Sequence, residues 1–165
     1  MKRNRRWIWF FVVLFGLAAA GITWEVVYNL RQQLTPEQVA AARERWRANG
    51  PRDYTLEYSV KRDTGPDLAG TVPERYTVEV RGGKVQSVTW PNGRPLRRED
   101  YDFDSMDSLL DYVARRVQED REPGRPRVFA VAQFDAEDGH VLHYVRSVMK
   151  TRERLEVETV LRPAP

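Results

Sequence analysis

From Trp7 to Trp24 the chain runs for 18 positions without a charged side chain. As a helix rising 1.5 Å per residue, such a stretch spans roughly 27 Å, close to the hydrocarbon thickness of a bilayer. Trp7, Trp9 and Trp24 bracket it, which suits indole rings at the two interfaces, and Lys2, Arg3, Arg5 and Arg6 precede it. A basic tip of this kind stays in the cytoplasm while the remainder is translocated. The expected organisation is a cytoplasmic tip over 1–6, a transmembrane signal anchor over 7–24, a stalk over 25–35 and an extracytoplasmic domain over 36–162. That makes a single-pass protein of the cell membrane. A cleaved signal peptide is the competing reading, since Ala18-Ala19-Ala20 before Gly21 is an acceptable cleavage pattern, with secretion after a cut near Ala20. The anchor is favoured because the apolar stretch continues to Trp24. A buried core helix fits poorly, because the segment has no polar face.

The net charge of +3 is a matter of location. Four of the 27 Lys and Arg residues stand in the first six positions, which leaves 23 against 24 acids, all of them beyond Trp24. A near-neutral body lacks the basic stripe that phosphate tracking requires, so nucleic acid is not an expected partner. The absence of cysteine excludes disulfides, thiolate metal sites, a cysteine nucleophile and a lipid on an N-terminal cysteine. About 130 residues nevertheless suffice for one hydrophobic core.

Periodicity outlines that domain. Thr35-Pro36-Glu37-Gln38 combines an N-cap, a proline at the first helical position and a capping box, and Val39, Ala42 and Trp46 follow at helical spacing until Gly50-Pro51. Tyr54, Leu56, Tyr58 and Val60 alternate with polar residues, as do Tyr76, Val78 and Val80. Between these two strands 62–73 reads as a loop. Gly82-Gly83 predicts a tight hairpin into Lys84–Trp90. There Val80 faces Val85 while Val88 falls out of phase, which predicts a bulge near Gln86-Ser87. Pro91-Asn92-Gly93 is a turn. Asp104 is the expected cap of a second helix carrying Met106, Leu109, Leu110, Val113 and Val117. Three strands complete the chain: Val128–Phe134, apolar on both faces and therefore expected at the centre, then His140–Val148 and Leu155–Leu161. The fold class is α+β, with about six antiparallel strands, two helices on one face and an αβββ-αβββ order that suggests internal duplication.

Few residues point to chemistry. Asp100, Asp102, Asp104 and Asp111 imitate a calcium loop, yet Ser105 stands where its sharp turn needs glycine, and the last ligand is aspartate where glutamate reaches the ion. Helix capping by Asp104 and a favourable N-terminal charge at Asp107 account for the same residues. His140 and His143, three apart in a strand, point to opposite faces and cannot share a metal, so both read as surface groups near a turn. No nucleophile elbow, zinc-protease helix, phosphate loop or dinucleotide fingerprint is present. Glu156 and Glu158 read as the solvated face of the last strand. Trp90, beside a turn at a hairpin end, is the aromatic expected to be partly exposed to a partner. No catalytic residue and no cofactor is expected.

The run Arg45-Trp46-Arg47-Ala48-Asn49-Gly50-Pro51-Arg52-Asp53-Tyr54-Thr55-Leu56-Glu57-Tyr58 resembles the opening of the domain of unknown function 6174 family, uncharacterised bacterial exported domains. Tyr76–Val80 with Gly82-Gly83-Lys84-Val85, Met106-Asp107-Ser108-Leu109-Leu110-Asp111, and Phe134-Asp135-Ala136-Glu137-Asp138-Gly139-His140-Val141 are similar to later pieces of it, so the resemblance covers 45–160. It implies export and no catalytic set, and it favours capping over calcium at Asp104–Asp107. Relatives are often lipoproteins with cysteines in the first strand pair. This chain has neither feature.

These readings converge on a non-enzymatic, membrane-anchored module that binds an unknown protein or envelope polymer through a sheet face or the hairpin ends. The rivals are an accessory subunit of a membrane complex acting through its transmembrane helix, and a carboxylate-based hydrolase or weak calcium-binding domain at Asp100, Asp102 or Asp104.

Overall fold

The first helix forms where its cap is written. In the computed structural model, which describes residues 33–63 and 72–164, α1 spans Pro36–Asn49. Thr35 Oγ1 accepts from Gln38 N at 3.3 Å and Gln38 Oε1 accepts from Thr35 N at 2.9 Å, so two otherwise orphaned donors are satisfied reciprocally. Val39, Ala42 and Trp46 are its buried face. The anchor expected over 7–24 and most of the stalk lie outside the described residues. Among the described residues no helix is long and apolar enough to cross a membrane.

Helix α2, Met106–Glu119, is capped by Ser105 and not by Asp104. The reason is register. Ser105 is extended, at φ −165° and ψ 168°, so the helix starts at the fully buried Met106 and the cap falls one position before it. Ser105 Oγ accepts from Ser108 N at 3.2 Å, and Ser108 Oγ accepts in return from Ser105 N at 3.1 Å. Asp104 lies outside the helix, its carboxylate accepting from Ser105 Oγ at 3.1 Å.

Six strands form one antiparallel sheet: β1 Tyr54–Asp63, β2 Glu74–Arg81, β3 Lys84–Thr89, β4 Val128–Phe134, β5 Val141–Val148 and β6 Arg154–Pro163, in the order β3-β2-β1-β6-β5-β4. β1 and β6 are the central pair, aligned over ten residues from Tyr54↔Pro163 to Asp63↔Arg154. β1 thus runs past Val60 into the segment expected as loop, of which 64–71 lie outside the described residues. Tyr54, Leu56, Tyr58, Val60, Tyr76, Val78, Val80, Tyr144 and Val157 share the inner face with both helices. Full burial of side chains such as Leu56, Leu109 and Leu110 contributes about 1.5–3 kcal/mol each before entropic costs.

β4 is an edge strand, contrary to the reading of its two apolar faces. Ala130 faces the core with Val128 and Ala132, whereas Phe129 is 38 % exposed on the uncovered face. Leu34 N donates to Ala130 O at 2.8 Å and so caps part of that edge with the residue leading into α1. Bulges interrupt two of the hairpins. Glu79 pairs Ser87 and Val80 pairs Val85, which leaves Gln86 as the extra residue at the expected place. A second shift makes Leu142 extra opposite Gln133-Phe134.

The strand directions rule out a simple duplication. The two meanders lie side by side in the same order, but β4 runs opposite to β1. A rotation that keeps order and reverses every strand also exchanges the faces of the sheet. The helices nonetheless lie together on one face, sharing one core.

Candidate functional site

Three inner-face residues of β1 hold the start of α2 and the acid-rich segment that precedes it. Tyr54 Oη accepts from Met106 N at 3.1 Å, and Tyr58 Oη donates to Phe103 O at 2.8 Å. Two alternations further along the strand, Arg62 forms an ion pair with Asp102 and another with Glu74 Oε2 at 3.2 Å. A cleft of about 370 Å³ opens beside this contact. Its aromatic wall is Trp90, Tyr76 and Tyr101, and its charged wall is Glu74, Glu99, Asp100 and Asp102 with Arg62 alone as cation.

The cleft is built on local turns. After β3, Trp90 N donates to Arg94 O at 2.9 Å and Leu96 N to Val88 O at 2.9 Å, which folds Pro91–Arg94 back on the strand and fixes the indole beside β2. The Trp90 ring stacks on Tyr76 with centroids 5.4 Å apart and planes at 25°, and Tyr76 stacks on Tyr58 at 4.9 Å. A 3-10 turn over Arg98–Asp100 presents the acids, with Arg97 N donating to Asp100 Oδ2 at 3.1 Å.

Electrostatics follow from burial. Desolvation pushes the Tyr76 hydroxyl well above the usual phenol range, helped by its 2.9 Å hydrogen bond to Glu74. Burial also pushes Tyr58 up, and Tyr54 to about 12. Partial burial works against the Arg62 guanidinium, but Asp102 and Glu74 outweigh it and hold the group firmly charged. Four carboxylates and one guanidinium line the cleft; Arg97 reaches Glu99 from outside at 3.8 Å and Arg98 lies 5.0 Å from the Tyr101 ring centre, which leaves Asp100 as the lining acid without an ion pair among the described residues. An aromatic face beside such a carboxylate suits a cationic group.

The structure brings Trp90, Asp100 and Asp102 together in this cleft, with Trp90 half-buried. Asp104 and Asp111 lie elsewhere: Asp104 is 3.9 Å from Arg98, and Asp111 pairs with Arg43 of α1. The four aspartates considered for calcium therefore do not meet at one point. Arg62, Glu74 and Tyr76 escaped the sequence reading. The one available signal for Arg62 was the even-numbered alternation Tyr54, Leu56, Tyr58, Val60, which simply continues.

His140 and His143 stand apart, as their spacing requires, but His140 is only 9 % exposed and not a surface group. Its turn docks on α1, where Asn49 Nδ2 donates to Glu137 O at 2.9 Å, and its Nδ1 lies 2.6 Å from Asp138 Oδ1. Asp135 is occupied by the backbone N–H groups of Glu137 and Asp138, which hold its carboxyl below the usual range. His143 lies on the opposite, open face with Nε2 3.1 Å from Glu156 Oε1. A shallow groove of about 420 Å³ on that face is lined by Glu57, Ser59, Arg75, Thr77, Pro91 and Glu158 among others.

No curated protein matches the sequence. The family described as "Family of unknown function (DUF6174)" matches residues 38–145, well over half of the chain, from the first turn of α1 into β5. With that span carrying nearly all of both helices, four whole strands, part of β5 and the whole Trp90 cleft, the chain belongs to the DUF6174 family.

Proposed function

We propose that the protein is a non-enzymatic binding module, tethered to the membrane by residues 7–24 and facing away from the cytoplasm, whose Trp90 cleft receives a basic side chain of a partner protein. The single observation that carries this reading is the composition of the cleft: one stacked aromatic wall and four carboxylates around one guanidinium. Such a pocket attracts an ammonium or guanidinium through both cation–π and charge-assisted contacts. It repels phosphate and anionic polymer, in line with the near-neutral body of the chain. The apolar stretch behind the basic tip supports the tether.

The test is a photo-crosslinking amino acid at Trp90 in the full-length chain, expressed in native membranes. The expected result is a protein adduct mapped to a Lys- or Arg-bearing segment and weakened by Asp100→Asn with Glu99→Gln. Two results would overturn the reading. One is a partner that follows residues 7–24 when that segment alone is moved to another protein. The other is turnover of a cell-wall or glycan substrate abolished by Asp100→Asn.

A further inference from the structure

We propose that His143, Glu156 and Glu158 form a site for one divalent transition-metal ion of the zinc class on the open face of the sheet, independent of the Trp90 cleft. Register creates the constellation. His143 stands directly opposite Glu158 across the β5–β6 pair, and Glu156 lies two residues from Glu158, on the same face of β6. One ligand atom from each of the three comes within 4.8 Å of the others, and His143 Nε2 is already 3.1 Å from Glu156 Oε1. Tetrahedral ligands held about 2.1 Å from zinc are separated by roughly 3.4 Å, so a small rotation of the Glu158 side chain completes the set.

Three features separate this trio from an ordinary surface ion pair. Glu158 has no ion-pair or hydrogen-bond partner among the described residues, although it faces an imidazole across the ladder. Glu156 is engaged by Arg154 through Oε2 at 3.1 Å, which leaves Oε1 directed at His143. Both glutamates stand on a strand paired on each side, β1 and β5, so their backbone positions are fixed before an ion arrives. The His143 side chain is 39 % exposed, and the fourth coordination position opens to water. One imidazole and two carboxylates suit zinc, cobalt or manganese, whereas calcium demands six to eight oxygens. The Asp135–Asp138–His140 group, within the same distance limit, is the weaker candidate because backbone donors already occupy Asp135 Oδ1.

The test uses the full-length chain in detergent micelles, stripped with chelator and titrated with Zn²⁺ by calorimetry and with Co²⁺ by visible absorption. The expected result is one ion per chain and an intense tetrahedral cobalt band. His143→Ala and Glu158→Gln, both exposed replacements that spare the core, should each weaken binding tenfold or more, and Asp138→Asn should leave it unchanged. Absence of heat and of a cobalt band at millimolar ion would overturn the proposal. So would binding that survives His143→Ala but is lost with Asp138→Asn.

Discussion

Gly139 is the residue at which one added methyl group should do the most damage for its size. Its φ is +80°, in the left-handed region that side chains with a Cβ adopt at a cost of about 1–2 kcal/mol. A Cβ there would run into the Ala42 carbonyl oxygen and come within 2.9 Å of Arg45 Cβ and 3.1 Å of the Ala42 carbonyl carbon. These obstacles are mostly helix backbone, pinned from the other side by buried Val39, Ala42 and Trp46, so relief requires α1 to move off the sheet. Overpacking of that kind costs typically about 1–3 kcal/mol. Gly139→Ala should therefore destabilise the domain by about 2–5 kcal/mol. Gly83→Ala is the matched control, with φ +71° but nothing within 4 Å of its Cβ, and should cost only about 1–2 kcal/mol. The assay is urea unfolding of residues 34–165 followed by tryptophan fluorescence. With a slope of about 2 kcal/mol per molar, a 3 kcal/mol loss moves the midpoint by roughly 1.5 M. Equal losses for the two variants would refute the claim that turn and helix are in backbone contact.

Ser105→Ala should cost about 1 kcal/mol and Asp104→Ala less than about 0.5 kcal/mol in the same unfolding assay, because the serine is the residue that meets the free N–H of α2. Arg146 on β5 grips Asp120 at the end of α2 with Nε–Oδ2 2.8 Å and Nη2–Oδ1 2.6 Å, both side chains under 15 % exposed. Asp120→Ala should cost about 3 kcal/mol, and a double-mutant cycle with Arg146→Met should recover part of it. Burial raises Tyr54, Tyr58, Tyr76 and Tyr144 above the ordinary phenol value, Tyr54 to about 12. Raised values mean that the unfolded chain loses these protons first. The stability is present below pH 10 and is lost as pH rises beyond it, so phenolate absorbance from these four should grow together with loss of circular dichroism. The carboxyl of Glu156 is lowered chiefly by its hydrogen bond to His143, so its contribution is present above the ordinary glutamate value and fades as pH falls below it. Glu156→Gln should flatten the acid limb of the stability profile.

Local patterns were legible in the sequence to the degree that one element determines them. The Thr35–Gln38 box, the alternation of β1 and β2, and the misphased Val85 and Val88 all carry their explanation within a few residues, and the bulge at Gln86 follows from them. Strand order does not work that way. β4 carries apolar side chains on both faces, the mark of a central strand, yet Phe129 and Val131 simply face the open side of an edge. The sequence favours a cap one residue too early because Asp104 and Ser105 are both good caps, and the extended backbone of Ser105 with its exchange with Ser108 selects between them. The cleft was half legible. Trp90, Asp100 and Asp102 advertise themselves, but Arg62 and Glu74 reach them from strands whose pairing no short motif records.

That pairing also explains why the cleft can be rigid although its acids lie on a connection between strand and helix. Trp90 is the outer end of a continuous series of ring contacts that passes through Tyr76, Tyr58, Phe103 and Tyr112 to Tyr144 in the core. The same Tyr58 donates its hydroxyl proton to Phe103 O, and Arg62 two pairs further along β1 holds Asp102. The aromatic wall and the acidic wall are thus both fastened to one face of a central strand. A ligand entering between them meets groups whose ordering cost was met when the core formed, and preorganisation of this kind lowers the free energy that binding must supply. A loop of aspartates standing alone would have to be ordered by its ion. Here the order comes from tyrosines, which is why the same acidic run reads as a metal loop in one dimension and as one wall of a cleft in three.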